Sequence, residues 1–301
     1  HQPPQLSTTA KSCADSIAKR ARSCGSSSDV YGWTNDMYLP LCGRPKDAHH
    51  PALIAIGRLH SILTSPRKLP MHVRILLTAG SITALNKVSP ADNAARQARG
   101  DKPKVRPVNS GALSLKDSLR VALHTESAKK AQTLVSRTNL GMGVSAGPEK
   151  MALTCQALYR RGYAISSEDI GNAFNELHRQ AVLDAVNESW PEANQLVDNF
   201  YGIPSVVIYR YSEGDTQYIR VIVGKEGVRQ GCVLASFLFD IVLEIRVLRI
   251  LGHEFPEFVL RALTDDTPVG VPPPGDGEQW SNRWQRLVLF WHRFDALAAP
   301  I

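Results

Sequence analysis

Along this chain, stretches with apolar residues at helical spacing alternate with short β-rich runs. "HPALIAIGRLHSILTS" (50–65) has the spacing of a helix that ends before Pro66, and residues 11–23 of a polar, Ser-, Lys- and Arg-rich start predict a short one. "LPMHVRILLTAGSITALNKV" (69–88) predicts a helix, a break at Gly80 and a short strand. "SPADNAARQARGDKPK" predicts a charged, turn-rich loop. "VRPVNSG" predicts an extended piece, because the residue before a proline is pushed out of the α region. "ALSLKDSLRVALHTESAKKAQTLVS" predicts one long amphipathic helix.

The second half continues the alternation. "LGMGVSAGPEKMALTCQALYRRG" is a glycine-rich loop opening a helix, without the G-K-[ST] ending or the preceding strand of a phosphate-cradling loop. "YAISSEDIGNAF" predicts a strand running into a turn, followed by a helix through "NELHRQAVLDAVNESW". "SVVIYRYSEGDTQYIRVIVGKEG" predicts a hairpin about Glu213, Gly214, Asp215 and Thr216. "GCVLASFLFDIVLEIRVLRIL" is apolar enough to be a buried helix, and "FVLRALTDDTPVGV" predicts strand, tight turn, strand. "WSNRWQRLVLFWHRF" (280–294) predicts a helix packed under the sheet. Together these elements predict an α+β fold with a mainly antiparallel sheet flanked by helices.

Composition narrows the class. At 301 residues and 43% hydrophobic, the chain can bury one large core or two modest ones. No apolar run approaches the ~18–20 residues that span a bilayer, and no secretory signal is visible near the start. Five dispersed cysteines, Cys13, Cys24, Cys42, Cys155 and Cys232, predict reduced thiols in an intracellular protein, nuclear or cytoplasmic. His49, His50 and His60 lack the spacing of a metal site.

The net charge of +7 conceals an asymmetry. Residues 1–150 carry 22 Lys and Arg against 9 Asp and Glu, whereas residues 151–301 carry 13 against 19. A basic half joined to an acidic half suits a protein that grips a polyanion with one part and holds cations with the other; uneven surface charge on an ordinary globule would look the same.

Asp265 and Asp266 sharpen the question. Two adjacent like charges between apolar residues and a proline run either solvate a turn or sit beneath a cation. Asp169 is equally readable as a helix N-cap.

Taken in order, "DIGNAFNELHRQAVLDAV", "EGVRQGCVLASFLFDIVL" and "LRALTDDTPVGV" resemble the palm motifs of reverse transcriptases, especially those of non-long-terminal-repeat retrotransposons. "ITALNK" and "VRPVNSG" are similar to the paired strands of their fingers. The resemblance covers about residues 69–275. It implies an RNA-directed DNA polymerase, a nucleotidyltransferase in which Asp169, Asp265 and Asp266 hold Mg²⁺ or Mn²⁺, with Asp266 tuning the field or the turn. Its partners would be an RNA template, a DNA primer and deoxynucleoside triphosphates. Phe174 would exclude a ribose 2′-hydroxyl, which argues against RNA synthesis, although a core aromatic would occupy the same place. Gln230 and Gly231 would floor the nucleotide site, Gly231 being also readable as an ordinary turn glycine. Lys87 and Arg106 would meet phosphates, or be solvated.

The resemblance also implies an N-terminal extension (1–68), helical and partly disordered, a fingers-like part (69–160) and a catalytic palm-like part (161–301). Leu263, Gly171 and Val233 depart from the family pattern without removing a carboxylate. Few residues follow Asp266, so the expectation is a chain truncated before the thumb. An inactive or weakly active member of the same fold, serving as a nucleic-acid-binding or scaffold module, is the competing expectation.

Overall fold

Helix starts in the first half of this chain are set largely by proline, serine and threonine, and a computed structural model shows what those starts position. It describes residues 5, 6, 8–23, 28–43, 49–213 and 215–301; Cys24, and Gly214 of the expected hairpin tip, lie outside them. Helices α1 (Ala10–Ser23) and α2 (Pro51–Leu63) flank a 3₁₀ turn at Asn35–Leu41. They form a small separate core of Ala14, Ile17, Ala18, Ala21, Tyr38 and Leu53, closed by Leu113.

Next come α3 (Met71–Thr78), β1 (Gly80–Asn86), α4 (Pro90–Ala98) and β2 (Val105–Gly111). The segment expected as a turn-rich loop is helical in α4. Ser89 caps it, its Oγ accepting the Asp92 amide at 3.1 Å, and Pro90 occupies the first turn, where a missing N–H costs nothing. The single helix expected over 112–136 is two, α5 (Leu113–Leu123) and α6 (Glu126–Val135). Thr125 breaks it: its hydroxyl donates to the Ala122 carbonyl at 2.7 Å and accepts the Ala128 amide at 3.3 Å, ending one helix and capping the next.

The remaining elements are α7 (Gly147–Arg160), β3 (Ala164–Asp169), α8 (Ala173–Glu176), α9 (Arg179–Ser189), α10 (Asn194–Tyr201), β4 (Ser205–Glu213) and β5 (Thr216–Gly224). After them α11 (Ala235–Leu243) passes through a π-helical turn, Glu244–Leu248, into α12 (Arg249–Glu254), and β6 (Val259–Leu260), β7 (Asp266–Val271) and α13 (Trp280–Ala298) complete the fold. The helix expected after Asp169 is interrupted between α8 and α9. There the Phe174 and Leu177 carbonyls accept the amides of Val228 (2.7 Å) and Gly227 (2.9 Å), so tertiary pairing replaces helical pairing.

Two sheets result. The first runs β2-β1-β4-β5, antiparallel except for the parallel pair β1–β4; the second runs β3-β7-β6, wholly antiparallel. Because β1 pairs with β4, the first sheet joins residues on both sides of position 160. The main core is centred on α11, with Phe237, Leu238, Phe239 and Ile241 buried and Trp190 packed 5.5 Å from Phe237. Helix α13 packs Leu287, Phe290 and Phe294 into this core, and Trp291 Nε1 donates to Ser166 Oγ of β3 at 3.0 Å. The four described cysteines are free.

His60 on α2 is 1% exposed, and its Nδ1 has no hydrogen-bond partner among the described residues. Burial pushes its pKa from 6.5 down to about 4. The unfolded chain therefore takes up this proton first, so stability present above pH 6.5 is lost as the pH falls toward 4. Melting temperatures of the parent and His60→Gln, followed from neutral pH to pH 4, should shift progressively in the variant's favour. A pH-independent difference would remove His60 from the acid response.

Candidate active site

The geometry is built by two strands and a tight turn. β3 and β7 run antiparallel with Asp169 directly opposite Asp266. Opposed residues of such a pair have Cβ atoms about 4.5–5.5 Å apart. The turn before β7 is Leu263-Thr264-Asp265-Asp266, closed by the Leu263 amide to the Asp266 carbonyl (2.8 Å) and the reverse bond (3.3 Å). The Ile170 amide donates to the Asp265 carbonyl at 3.4 Å, drawing the turn against the end of β3. Asp169 and the sequence-distant pair Asp265–Asp266 thus meet at one end of one sheet. Asp266 registers the crowding: partial burial, then the charges of Asp265 and Asp169, raise its pKa.

This edge forms one wall of a cleft of about 730 Å³. Lys87, at the end of β1, and Arg106, on β2, line the same cleft, as do Phe174, Gln230 and Gly231. Every residue that the sequence singled out for chemistry therefore meets in one concavity. Phe174 does two things at once: it borders the cleft and stacks on Phe239 of the core, ring centroids 5.4 Å apart. The core and cleft placements, alternatives in the sequence, are both occupied.

The cleft floor is fixed from β2. The Asn109 amide donates to the Gln230 carbonyl at 2.8 Å, and Gly231 follows with φ of +95°. A Cβ at Gly231 would lie 2.5 Å from the Asn109 carbonyl oxygen, so this turn needs glycine for both conformation and space. Arg229, just before, donates from Nη1 to the Thr78 carbonyl at 2.7 Å and lies over the Tyr201 ring.

The glycine-rich loop before α7 also has a structural role. A Cβ on Gly141 would come within 2.3 Å of Thr264 Oγ1, so the loop packs closely against the aspartate turn. Two residues behind that turn stand out in the structure and not in the sequence. Asn139 and Asp240 are both fully buried, and Asn139 Nδ2 donates to Asp240 Oδ1 at 2.9 Å. Burial pushes the Asp240 carboxyl up to about 8, with the Asn139 hydrogen bond opposing and the Asp265 charge adding to the rise.

Asp169, Asp265 and Asp266 offer the hard oxygen donors that Mg²⁺ prefers, so the donor chemistry fits a divalent ion. Among the described residues, however, no three His, Cys, Asp or Glu side chains already form a ligand-like cluster. The histidines do other work. His49 Nε2 meets Asp15 at 2.9 Å, and His50 Nδ1 accepts the Ala52 amide at the start of α2.

No family model matches the sequence, and no curated protein matches it. Among solved structures, the chain is similar to telomerase from Candida albicans in complex with a TWJ fragment of telomeric RNA. That likeness has 13% identity and a TM-score of 0.42, over 73% of this chain and 41% of the other. It is also similar to apo telomerase from Candida tropicalis truncated from its C-terminal domain, at 12% identity and a TM-score of 0.42, over 71% of this chain and 46% of the other. The chain spans less than half the length of these telomerases. At such identities and scores the likeness assigns no role to any residue.

Gly231→Ala should lower the unfolding free energy by about 1–3 kcal/mol in urea titrations, the usual range for a forced positive φ. Gly252, in α12, where an added Cβ would meet nothing within 4 Å among the described residues, supplies the control: Gly252→Ala should raise stability by about 0.5–1 kcal/mol. Equal effects at the two sites would contradict the steric account of the cleft floor.

Proposed function

We propose that this chain is a reverse-transcriptase-like polymerase domain, of a kind similar to that of non-long-terminal-repeat retrotransposons, that performs template-directed nucleotidyl transfer. One observation carries the reading: Asp169 and the Asp265–Asp266 turn are brought into opposition across β3 and β7, facing a cleft with Lys87 and Arg106 on its border. Carboxylates on one side and cations on another suit a substrate that presents both metal-bound and free phosphate oxygens.

In this reading Asp169 and Asp265 would hold the divalent ions, Mg²⁺ or Mn²⁺, with Asp266 contributing charge and holding the turn. Such ions, when bound, activate a primer 3′-hydroxyl and neutralise a departing pyrophosphate. Lys87 and Arg106 would orient the triphosphate or template phosphates. Gly231 would let base or sugar approach the backbone closely, and Gln230 would border the nascent pair. Phe174, held in place by Phe239, would present a fixed ring to the sugar and select deoxynucleotides; a mobile ring could not discriminate as well. RNA template and DNA primer are the expected macromolecular partners, within a nuclear or cytoplasmic setting. No helix among the described residues is long and apolar enough to cross a membrane.

A second reading has its own observation. The acids do not form a ligand-like cluster among the described residues, which favours a nucleic-acid-binding module of the same fold with little synthesis.

Extension of a DNA primer on an RNA template, with Mg²⁺ or Mn²⁺, separates the two. The parent should extend and Asp265→Ala should not, while both retain primer–template binding. Binding by both with extension by neither would establish the module instead. Phe174→Val should admit ribonucleotides that the parent rejects, and unchanged sugar discrimination would strip Phe174 of its role.

A further inference from the structure

Thr264 has φ of +58°, which a β-branched residue adopts only under constraint. Since Thr264 is the first central residue of the turn that presents Asp265 and Asp266, whatever imposes its conformation also places those carboxylates. The constraint is visible. Asn139 Oδ1 accepts the Thr264 amide at 3.1 Å and the Gly141 amide at 2.9 Å, using the oxygen twice. Asn139 Nδ2 donates to Asp240 Oδ1 at 2.9 Å, which sets the flip of the amide. The flanking main chain adds a short parallel bridge: the Leu140 amide donates to the Ala262 carbonyl at 2.7 Å, and the Ala262 amide to the Thr138 carbonyl at 3.0 Å.

Asp240 lies on α11, between the buried Phe239 and Ile241, and α11 begins just after the Gln230–Gly231 floor. The Asn139–Asp240 pair is therefore the buried link between the helix behind the floor and the turn that forms the acidic wall.

We propose that Asn139, oriented by Asp240, is the positioning residue of the Asp265–Asp266 turn, locking Thr264 in its left-handed conformation and fixing the acids relative to the cleft floor. The structural part of this inference stands on the hydrogen bonds alone; its catalytic consequence rests on the polymerase reading. Asn139 touches no reacting atom in that reading and acts only through the turn. Asp240 Oδ1 accepts the Asn139 amide in either protonation state, so its part rests on the position of that oxygen. Asp240→Asn can accept the same bond, whereas Asp240→Leu cannot.

Amide hydrogen exchange, resolved by residue, reads the positioning directly. In Asn139→Leu the Thr264 and Gly141 amides should exchange about 10–100-fold faster, the factor expected for a lost buried hydrogen bond, while the amides of α9 keep parental rates. Asp240→Leu should reproduce this pattern and Asp240→Asn should not. Asn139→Ser, which keeps a small polar group but loses the reach, serves if Asn139→Leu does not fold. Adding Thr264→Gly to Asn139→Leu should recover primer extension in part, since glycine takes positive φ freely; the expected defect without it is in kcat, with KM for dNTP unchanged. Parental exchange at Thr264 in the Asn139 variants would overturn the inference, as would loss of protection spread evenly over the chain. If the parent extends no primer but the exchange pattern holds, the polymerase reading falls and the positioning role survives.

Discussion

Asp169 and Asp266 face each other across an antiparallel pair, and like charges in that arrangement repel. A fold that accepts this cost must fix the register of β3 on β7 by other means, since a slip of one residue would turn every side chain to the opposite face. The fixing elements are distributed. Val269 and Val271 of β7 are buried, Thr267 is buried beside them, and Trp291 of α13 grips Ser166 of β3. The acids stand at the one end of the sheet where burial stops and the cleft begins. Packing thus holds the repulsion in place, and the charges of Asp265 and Asp169 add to the rise that desolvation gives the Asp266 pKa.

The same economy governs the cleft's other walls. Its floor is a glycine turn pinned to β2, and its aromatic is a core residue whose face happens to reach solvent. None of these groups stands on a long free loop. Rigid support of this kind suits chemistry that depends on placing phosphate oxygens and metal ligands within fractions of an ångström.

Much of the candidate site was legible in the sequence because the proposed chemistry calls for particular residue types in short, ordered segments. Asp169 at a strand end, Gln230–Gly231 at a helix entrance and Asp265–Asp266 in a turn each carry a local signature. Asn139 carried none: an asparagine in "RTNLGMG" reads as loop until Thr264 and Asp240 are seen to converge on it. The helix α4 was hidden by its charge and flanking turn residues, although Ser89, Pro90 and Asp92 form a local start signal. The split between α5 and α6 turned on one hydroxyl, and the break after α8 on carbonyls claimed by a distant loop. The parallel pairing of β1 with β4 had no local trace, since strand partners are chosen by tertiary packing.

That parallel pair has a temporal consequence. β1 and β2 can close as soon as both have left the ribosome, but Gly80 must wait for Val207 before the middle of the first sheet exists. At about 5–20 residues per second of synthesis, the delay is on the order of ten seconds. Throughout it, one edge of β1 lacks its eventual neighbour, and the closure that ends the wait spans a long stretch of chain with a correspondingly slow entropic search. The centre of that sheet therefore cannot form before Val207 has been made, and until then the open edge of β1 is exposed to mispairing.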